Sequence, residues 1–371
     1  MKYKLYNNVI IGAFLLMLGA KGAEVVSLDV PDFSGMQVVN KKMGMRLGGN
    51  ITIKTKVHYH EGKPVVFVDN YGFGGHGWTY APGSVKLAFE RMYKGYELIK
   101  KPMIPKEEKV VVLGGGVNSL MLANRLAGEE GFSVTVYAEE FSPNILSDVK
   151  VGVFIPFLRR EEKDDNIRDR LEESSYEVYA RWANERANKS VRPIDLYIVD
   201  ESGKVKLPRS SAVIPMPSIV DIDVGQKDRV SALKYKSFAI DTASMMKEMM
   251  EEGKMLGVKF VKRKINTLQE CMDMGAGIIF NCIGLELKEK DKKDDEMLVS
   301  HTMSIEGEGR MDYAIYVKHE NGSYTYLFPG KDNVVTVTGT FFPVLEKNIS
   351  ETENMKHLVT RASTILKKKT E

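Results

Sequence analysis

The sequence has few cysteines, no strong excess of one charge and no apolar run long enough to cross a bilayer. Two cysteines, Cys271 and Cys282, among 371 residues exclude a disulfide framework and a cysteine-based zinc site. The 53 basic and 50 acidic residues give a net charge of only +3, so no large basic surface indicates nucleic acid as a partner. The apolar run 9–20 has 12 residues, whereas a membrane helix needs about 20. These absences indicate a globular protein with no nucleic-acid partner and no stable membrane span.

The first 23 residues differ in kind from the rest of the chain. Lys2 and Lys4 precede the apolar run, and small residues follow it at Ala20, Gly22 and Ala23. A basic start, a short apolar run and small residues near a cleavage position are typical of a secretory signal. We therefore predict a signal peptide over 1–23 and a secreted, periplasmic or lumenal location. The alternatives are an uncleaved anchor and a buried strand.

Hydrophobic periodicity predicts the elements of the first half of the chain. Residues 24–50 are irregular in pattern, and two alternating strands then flank a short turn at 61–63. Apolar spacing predicts a helix over 84–101, and the charged, proline-bearing stretch 100–109 is typical of an exposed linker. Residues 109–139 contain a strand, a helix and a second strand, which is the pattern of a βαβ unit.

The second half of the chain combines one more helix–strand pair with antiparallel strands. Residues 242–265 predict a helix and a strand, and 275–284 a buried strand. Several alternating strands with polar turns follow over 301–342, after the charge run 286–297, which is typical of a solvated loop. We therefore predict an α/β (α+β) protein with a Rossmann-like nucleotide-binding layer and an antiparallel-sheet domain.

A glycine-rich turn over 114–119, GGGVNS, follows a strand and begins a helix. In a phosphate-binding turn the first glycine makes the bend, and the second lets the backbone approach a pyrophosphate at the helix N-terminus. Ser119 takes the place of the third glycine of the G-x-G-x-x-G pattern. Glu139 ends the next strand, where an acid accepts the hydroxyls of a ribose. The pattern predicts a dinucleotide site, and the alternative is a purely structural turn.

A second glycine-rich turn, over 72–79, stands earlier in the chain and also joins a strand to a helix. Such a turn presents backbone N–H groups to an electron-rich oxygen, as a reduced flavin ring requires. The alternative is the glycine-rich end of a hairpin. His58 and His60 share one face of the strand before the 61–63 turn but lack a third ligand nearby, so we predict no metal site.

Several segments resemble the D-amino-acid oxidase family of FAD-dependent oxidoreductases. NYGFGGHGWT is similar to the family's N-Y-G-x-G-G-x-G-x-T, and VYAEEFSPNILSDVKVGVFIPF to the segment that follows its second strand. EEGKMLGVKFVKRKI with GIIFNCIGL, and YLFPGKDNVVTVTGTFF, resemble two further family segments. The match covers most of 40–345. The order is rotated, because the segment that closes the family's chain stands first here, so the sequence looks like a circular permutant.

The resemblance implies a division of the chain into seven segments. These are a signal peptide over 1–23, the permuted C-terminal flavin-contacting segment over 24–99, a linker over 100–108, the FAD-binding βαβ unit over 109–157, a substrate-domain segment over 158–235, the return to the FAD-binding domain over 236–285, and the substrate-domain sheet with a terminal helix over 286–371. Residues near 24 and near 366 are then expected to lie close together.

The resemblance also implies which residues hold the cofactor. For the FAD pyrophosphate they are Gly114, Gly116, Val117 and Asn118. Glu139 would bind the adenosine ribose, and the backbone of Ile265 would meet the adenine. The isoalloxazine ring would face five residues of the earlier turn, namely Gly74, Gly75, Gly77, Trp78 and Thr79.

The sequence departs from the family at several of these positions. Ile145 and Leu146 replace threonines that approach the cofactor phosphates, and Glu140 replaces a basic residue beside the ribose. Arg46 matches the first arginine of the family's G-F-R-P-x-R-P segment, but a glycine, Gly48 or Gly49, stands where the family has its arginine for the substrate carboxylate. The family's G-R-G-Q segment is LVSHT at 298–302.

The predicted function is transfer of a hydride from an amine or amino acid to FAD, which requires orientation of the small-molecule substrate rather than a Ser-His-Asp set. Arg46 and Tyr235 are the substrate-side candidates, although Tyr235 fits a core position as well. One alternative is a flavoprotein-like binding or structural protein with impaired catalysis. Another is an NAD-dependent dehydrogenase, which leaves the 72–79 turn unexplained.

Overall fold

The computed structural model describes the chain in thirteen stretches, and the predictions for 1–22, for most of the 286–297 charge run and for the terminal helix lie outside them. The described stretches are 23–29, 32–47, 51–101, 103–148, 151–156, 165–185, 189–203, 206–223, 229–283, 297–308, 311–320, 324–330 and 333–343. None of the helices in these stretches is long and apolar enough to cross a membrane.

The described residues form a mixed α/β fold with the following bounds. The strands are β1 Glu24–Ser27, β2 Asp32–Leu47, β3 Thr52–His60, β4 Lys63–Tyr71, β5 Lys109–Leu113, β6 Ser133–Ala138, β7 Gly152–Val153, β8 Val191–Asp200, β9 Ser218–Asp223, β10 Val230–Ile240, β11 Lys259–Lys262, β12 Ile278–Asn281, β13 Met297–Glu308, β14 Tyr313–Lys318, β15 Tyr324–Pro329 and β16 Val334–Pro343. The helices are α1 Gly77–Leu98, α2 Val117–Gly128, α3 Asp165–Asn184, α4 Thr242–Met255 and α5 Leu268–Asp273.

The first sheet has the strand order β11-β6-β5-β12-β4-β3. All neighbours in it are parallel except the hairpin pair β3 and β4. Parallel strands end at the same edge of a sheet, so the turns that follow β4, β5, β6 and β12 lie at one edge. This arrangement brings the two glycine-rich turns together, although β4 precedes the linker and β5 follows it.

Burial explains why β4 joins this sheet. One face of the sheet packs Val66, Val68 and Val112 against α1 and α2, and the other packs Val65 and Phe67 against α5. A strand covered on both faces is apolar at successive positions rather than at alternate ones. The run VVFV at 65–68 satisfies this condition and is buried throughout.

The second sheet is larger and mostly antiparallel, with the order β1-β9-β10-β8-β14-β15-β16-β13-β2 and with β7 paired to β10. Two parallel pairs interrupt it, β1 with β9 and β8 with β14. Its strands β13, β15 and β16 present side chains to the glycine-rich turn after β4. The fold class predicted from the sequence is therefore confirmed, whereas the domain boundaries stay predictions.

The expectation of irregular structure over 24–50 is wrong. Residues Asp32–Leu47 form the long edge strand β2, which pairs with β13 over most of its length. This pairing uses backbone groups and needs no alternation of apolar side chains. Val38 and Val39, two successive residues of the strand, are both exposed, so they do not show the alternation that would have produced a period-two signal.

The helix expected from 84 begins at Gly77 and contains Pro82. Proline lacks the N–H that would bond to the carbonyl four residues earlier, which here is that of Trp78. The hydroxyl of Tyr179 on α3 donates to this Trp78 carbonyl instead. The partner supplied by α3 lets the helix extend back to the glycine-rich turn.

Candidate functional site

The turn after β5 has the shape of a phosphate cradle. Gly114 has φ +111, and its N–H donates to the Tyr137 carbonyl at 2.8 Å. A Cβ on Gly115 would lie 2.4 Å from the Glu140 carbonyl oxygen. The turn therefore passes so close to the loop after β6 that only glycine fits at this position. Gly116 is the N-cap of α2 and contributes no side-chain bond, which leaves the N-terminal end of the helix dipole available to an anion.

This turn borders a cavity of about 660 Å³, here called the outer cavity. Its other walls are the end of β6 with Glu139 and Glu140, the loop that contains Ser147, and residues 263–265. The Lys264 Nζ lies 3.0 Å from a carboxylate oxygen of Glu139. The Lys262 Nζ lies 2.6 Å from Glu140. Lys262 therefore places a positive charge beside the position where the sequence has Glu140 instead of the expected basic residue.

The turn after β4 is held by the same Ser147 loop. The Trp78 Nε1 donates to the Ser147 carbonyl at 3.3 Å. The Thr79 hydroxyl accepts from the N–H of Ile155 at 3.1 Å and contacts the Val153 carbonyl at 3.4 Å. Gly72, Gly74 and Gly75 all have positive φ values, which suit glycine. These contacts fix the turn at the sheet edge.

A second cavity, of about 280 Å³ and here called the central cavity, lies between this turn and the second sheet. Ser147 and Ile283 line both cavities, so the outer and central cavities adjoin. A Cβ built on Gly77 would lie 3.9 Å from the side chain of Val117, so the two glycine-rich turns are neighbours. Together they border one continuous region at the carboxyl edge of the first sheet.

Three hydroxyl groups form a row across the wall of the central cavity. Tyr326, Thr338 and Thr302 face it from β15, β16 and β13, where they are cross-strand neighbours. The Thr302 and Thr338 hydroxyl oxygens are 3.0 Å apart, and the Tyr326 hydroxyl lies 3.5 Å from the His76 Nε2. Among the described residues that line this cavity, none is Lys, Arg, Asp or Glu.

Each of the predicted cofactor residues lines one of the two cavities. Gly114, Gly116, Glu139 and Ile265 line the outer cavity. The others line the central cavity, namely Gly74, Gly75, Gly77, Trp78, Thr79, Val117 and Asn118. The individual roles of these residues in binding the cofactor stay predictions.

Neither substrate-side candidate is among the described residues that line the central cavity. Arg46 pairs through its backbone with Leu298, four residues along β13 from Thr302, and its side chain lies outside the described structure. Tyr235 is 1% exposed and packs in a core with Tyr316 and Phe328 rather than lining the cavity. The phenol that does line it is that of Tyr326, which the sequence analysis missed.

Two further residues of the site were not found from the sequence. Ser147, which follows the replaced threonines, accepts from the Val117 N–H at 3.2 Å through its hydroxyl. Ser147 could have been identified from its position two residues after Ile145, one of the two residues that replace the family's threonines. Cys282 also lines the central cavity, and burial raises the pKa of its thiol to about 12, which keeps it protonated and unreactive at neutral pH.

A parallel sheet with a glycine-rich turn at a helix N-terminus, joined to an antiparallel sheet across a cavity, is the arrangement of the nucleotide-binding flavoprotein class. The family model of FAD dependent oxidoreductases, DAO, matches residues 109–369. The chain belongs to this family, and its cofactor is FAD.

Individual relatives are distant. A D-amino acid oxidase from Dugesia ryukyuensis is 23% identical over 267 residues, which cover 69% of this chain and 77% of that protein. L-proline dehydrogenase from P. horikoshii is 16% identical with a TM-score of 0.49, over 71% of this chain and 77% of that one. Amadoriase I from Aspergillus fumigatus is 12% identical with a TM-score of 0.46, over 64% and 63%. The chain thus spans just under two thirds of the length of the fungal enzyme.

The residues present fit FAD. In the outer cavity a glycine-rich turn exposes its backbone next to a helix N-terminus, as a pyrophosphate requires. The Glu139 carboxylate also lines this cavity and can accept the hydroxyls of a ribose. The central cavity offers backbone groups of a second glycine-rich turn, which a flavin ring requires. Ser147 lines both cavities.

Proposed function

We propose that this protein is an FAD-dependent oxidoreductase that oxidises a small amine or amino acid. The observation that supports this proposal most strongly is that the outer and central cavities meet at Ser147 and Ile283, and that each cavity is bordered by one glycine-rich turn. Bound FAD supplies the acceptor for the hydride that leaves the carbon next to the substrate nitrogen. The chain itself contributes binding, orientation and exclusion of water.

The hydroxyl row is the surface that orients the substrate. Tyr326, Thr338 and Thr302 can each donate or accept a hydrogen bond, and His76 adds a ring nitrogen beside Tyr326. Apolar wall residues, including Phe328 and Val153, help to exclude water. Such a pocket suits the amine and polar atoms of a small substrate.

One observation favours a second candidate, a flavoprotein that binds its ligand without oxidising it. The described residues of the central cavity offer no Arg or Lys for a substrate carboxylate. An amine without a carboxylate needs no such cation, so amines are tested beside amino acids.

Anaerobic reduction of the flavin tests this proposal. The FAD-loaded protein is mixed without oxygen with primary amines, secondary amines and both enantiomers of neutral amino acids, and absorbance is followed at about 450 nm. We expect at least one amine to bleach the flavin. Tyr326→Phe should slow bleaching about tenfold or more through loss of one oriented hydroxyl. Tyr324→Phe, a change on the same strand outside the cavity, should not.

A flavin that dithionite reduces but no amine or amino acid bleaches would contradict the catalytic proposal and favour the ligand-binding candidate. Equal bleaching rates for the Tyr326→Phe and Tyr324→Phe proteins would contradict the role of the hydroxyl row but not the catalytic proposal itself.

A further inference from the structure

The 141–148 loop, which follows β6 and contains Ser147, is bonded to the helices that follow both glycine-rich turns. The Ser147 hydroxyl oxygen accepts from the Val117 N–H at 3.2 Å, at the N-terminus of α2. The Ser147 carbonyl oxygen accepts from the Trp78 Nε1 at 3.3 Å, at the N-terminus of α1. A single residue of this loop therefore holds the start of the helix after each turn.

The Ser147 hydroxyl keeps a hydrogen that it can donate. A serine hydroxyl has one hydrogen and two acceptor lone pairs, and the bond from Val117 uses only a lone pair. Ser147 lines both cavities, and a Cβ built on Gly116 would lie 3.3 Å from its hydroxyl oxygen. The loop thus places a hydrogen-bond donor where the cavities meet, beside a helix N-terminus that suits an anion.

Asp148 fixes the conformation of this loop. The residue is 6% exposed, and a buried carboxylate needs hydrogen-bond donors. One of its carboxylate oxygens accepts from the Ser142 hydroxyl at 2.5 Å, and the other accepts from the Ile145 N–H at 3.0 Å. The Asp148 N–H donates in turn to the Ile145 carbonyl at 3.2 Å. These three bonds close the loop on itself next to Ser147.

Asp148 stands behind the site rather than on its wall. It is not among the described residues that line the outer or the central cavity, whereas its neighbour Ser147 lines both. An effect of the Asp148 carboxylate on a ligand in these cavities therefore passes through the loop and through Ser147.

We propose that Asp148 is a positioning residue for FAD. By closing the 141–148 loop it holds Ser147 against Val117 and Trp78, and so keeps the two glycine-rich turns at the spacing that one cofactor molecule needs. This inference rests on FAD as the cofactor of the proposed function. A loop that already has its bound geometry loses less conformational entropy when the ligand binds. The carboxylate thereby raises the affinity for FAD through the loop.

Fluorescence titration of the cofactor-free proteins with FAD tests the proposal. Asp148→Ala should raise the dissociation constant about tenfold, because a hydrogen bond to a charged group typically contributes enough to change an affinity by that factor. Asp148→Asn should largely restore the affinity, because its amide keeps an acceptor for the Ile145 N–H and can donate to the Ser142 hydroxyl. Thermal midpoints recorded on the same proteins show whether each variant is folded.

Asp200→Ala is the matched control. The Asp200 carboxylate also accepts from one backbone N–H and one serine hydroxyl, both of Ser202, at 3.0 Å and 2.6 Å. Asp200 ends β8 and is not among the described residues that line the outer or the central cavity. Its loss should lower the thermal midpoint and leave the FAD dissociation constant unchanged, which separates a general loss of stability from a loss of positioning.

Tryptophan emission measures the hold of the loop without any cofactor. The chain has two tryptophans, so Trp182→Phe leaves Trp78 as the only one. In that background Asp148→Ala should shift the Trp78 emission to longer wavelength, because the indole loses its fixed carbonyl partner and meets water. Ser147→Ala should leave this emission unchanged, because the carbonyl stays, but should weaken FAD binding through loss of the hydroxyl.

Three results would overturn the proposal. These are an FAD dissociation constant of the folded Asp148→Ala protein equal to that of the unchanged protein, an equal rise for Asp200→Ala, or a Trp78 emission that Asp148→Ala does not shift. If Asp148→Ala fails to fold, Ser142→Ala removes one donor of the carboxylate and must give both effects in its place.

The outcome for Asp148 is distinguishable from the outcome for the proposed function. An unchanged protein that binds no FAD would overturn the cofactor assignment together with this inference. A protein that binds FAD but is bleached by no substrate would contradict the proposed oxidation alone, because neither the titration nor the emission depends on turnover.

Discussion

The Gly115→Ala protein is expected to bind FAD about tenfold to a hundredfold more weakly than the unchanged protein. The added Cβ would lie 2.4 Å from the Glu140 carbonyl oxygen and 3.2 Å from the Phe141 ring. A backbone oxygen cannot rotate away as a side chain does, so the turn must move from the loop after β6. Such overpacking costs about 1–3 kcal/mol, and each 1.4 kcal/mol is about a factor of ten in affinity.

The measurement is a fluorescence titration of the cofactor-free protein with FAD. Gly128→Ala is the matched control, because it lies at the other end of α2 and its Cβ would meet only the flexible end of Leu256, at 3.3 Å. Equal affinities for the two variants would show that the turn at 114–119 does not hold the cofactor.

The Gly83→Ala protein is expected to lose about 3 kcal/mol of unfolding free energy, at the upper end of the usual cost of overpacking. A Cβ at Gly83 would lie 2.2 Å from the Leu171 carbonyl oxygen and 2.7 Å from the Leu171 Cα, so α1 and α3 would have to separate. That separation would also disturb the bond from the Gly83 N–H to the Ser175 hydroxyl, which measures 2.9 Å.

Urea unfolding of the cofactor-free proteins measures this loss. Gly77→Ala, on the same helix, is the control, because its Cβ would meet nothing nearer than Val117 at 3.9 Å. An unchanged midpoint for Gly83→Ala would contradict the close packing of α1 on α3. Because the 72–79 turn leads into the N-terminus of α1, a displacement of α1 in the Gly83→Ala protein should weaken FAD binding as well.

Elements with a strong repeating pattern could be predicted from the sequence. The hairpin β3–β4 and the βαβ unit β5–α2–β6 were predicted because their burial alternates or repeats regularly and their turns contain glycine. The start of α1 could not be predicted, because Pro82 in a helix depends on Tyr179, 101 residues beyond its partner Trp78. A local pattern carries no information about such a partner.

The cofactor half of the site was more predictable than the substrate half. Glycine-rich turns have conformational requirements that are visible in the residues themselves, so Gly114 and the Gly74–Gly75 pair could be identified. The choice between Tyr235 and Tyr326 depends on which strand of the second sheet faces the turn. Tyr326 lies on β15, which pairs with its sequence neighbours β14 and β16, and the place of this group in the sheet is set by the long-range pairing of β14 with β8.

The rotated order of segments stays a prediction, and we propose that it reflects circular permutation. The family match begins at 109, at the first strand of the βαβ unit, and so leaves 24–99 outside it. Within the structure this earlier segment supplies β4 to the middle of the first sheet, beside β12. A segment integrated in this way belongs to the same folding unit as the residues that follow it.

The central claim is that the two glycine-rich turns hold one FAD molecule, and amide hydrogen exchange measured during an FAD titration tests it most directly. Peptides that cover 72–79 and 114–119 are followed by mass spectrometry as FAD is added to the cofactor-free protein, with peptides from β9 as the internal reference. We expect both turns to become protected together, with one midpoint that saturates at one FAD per chain, while β9 stays unchanged. Protection of 114–119 with no change at 72–79, or protection of the two turns at different FAD concentrations, would contradict the claim.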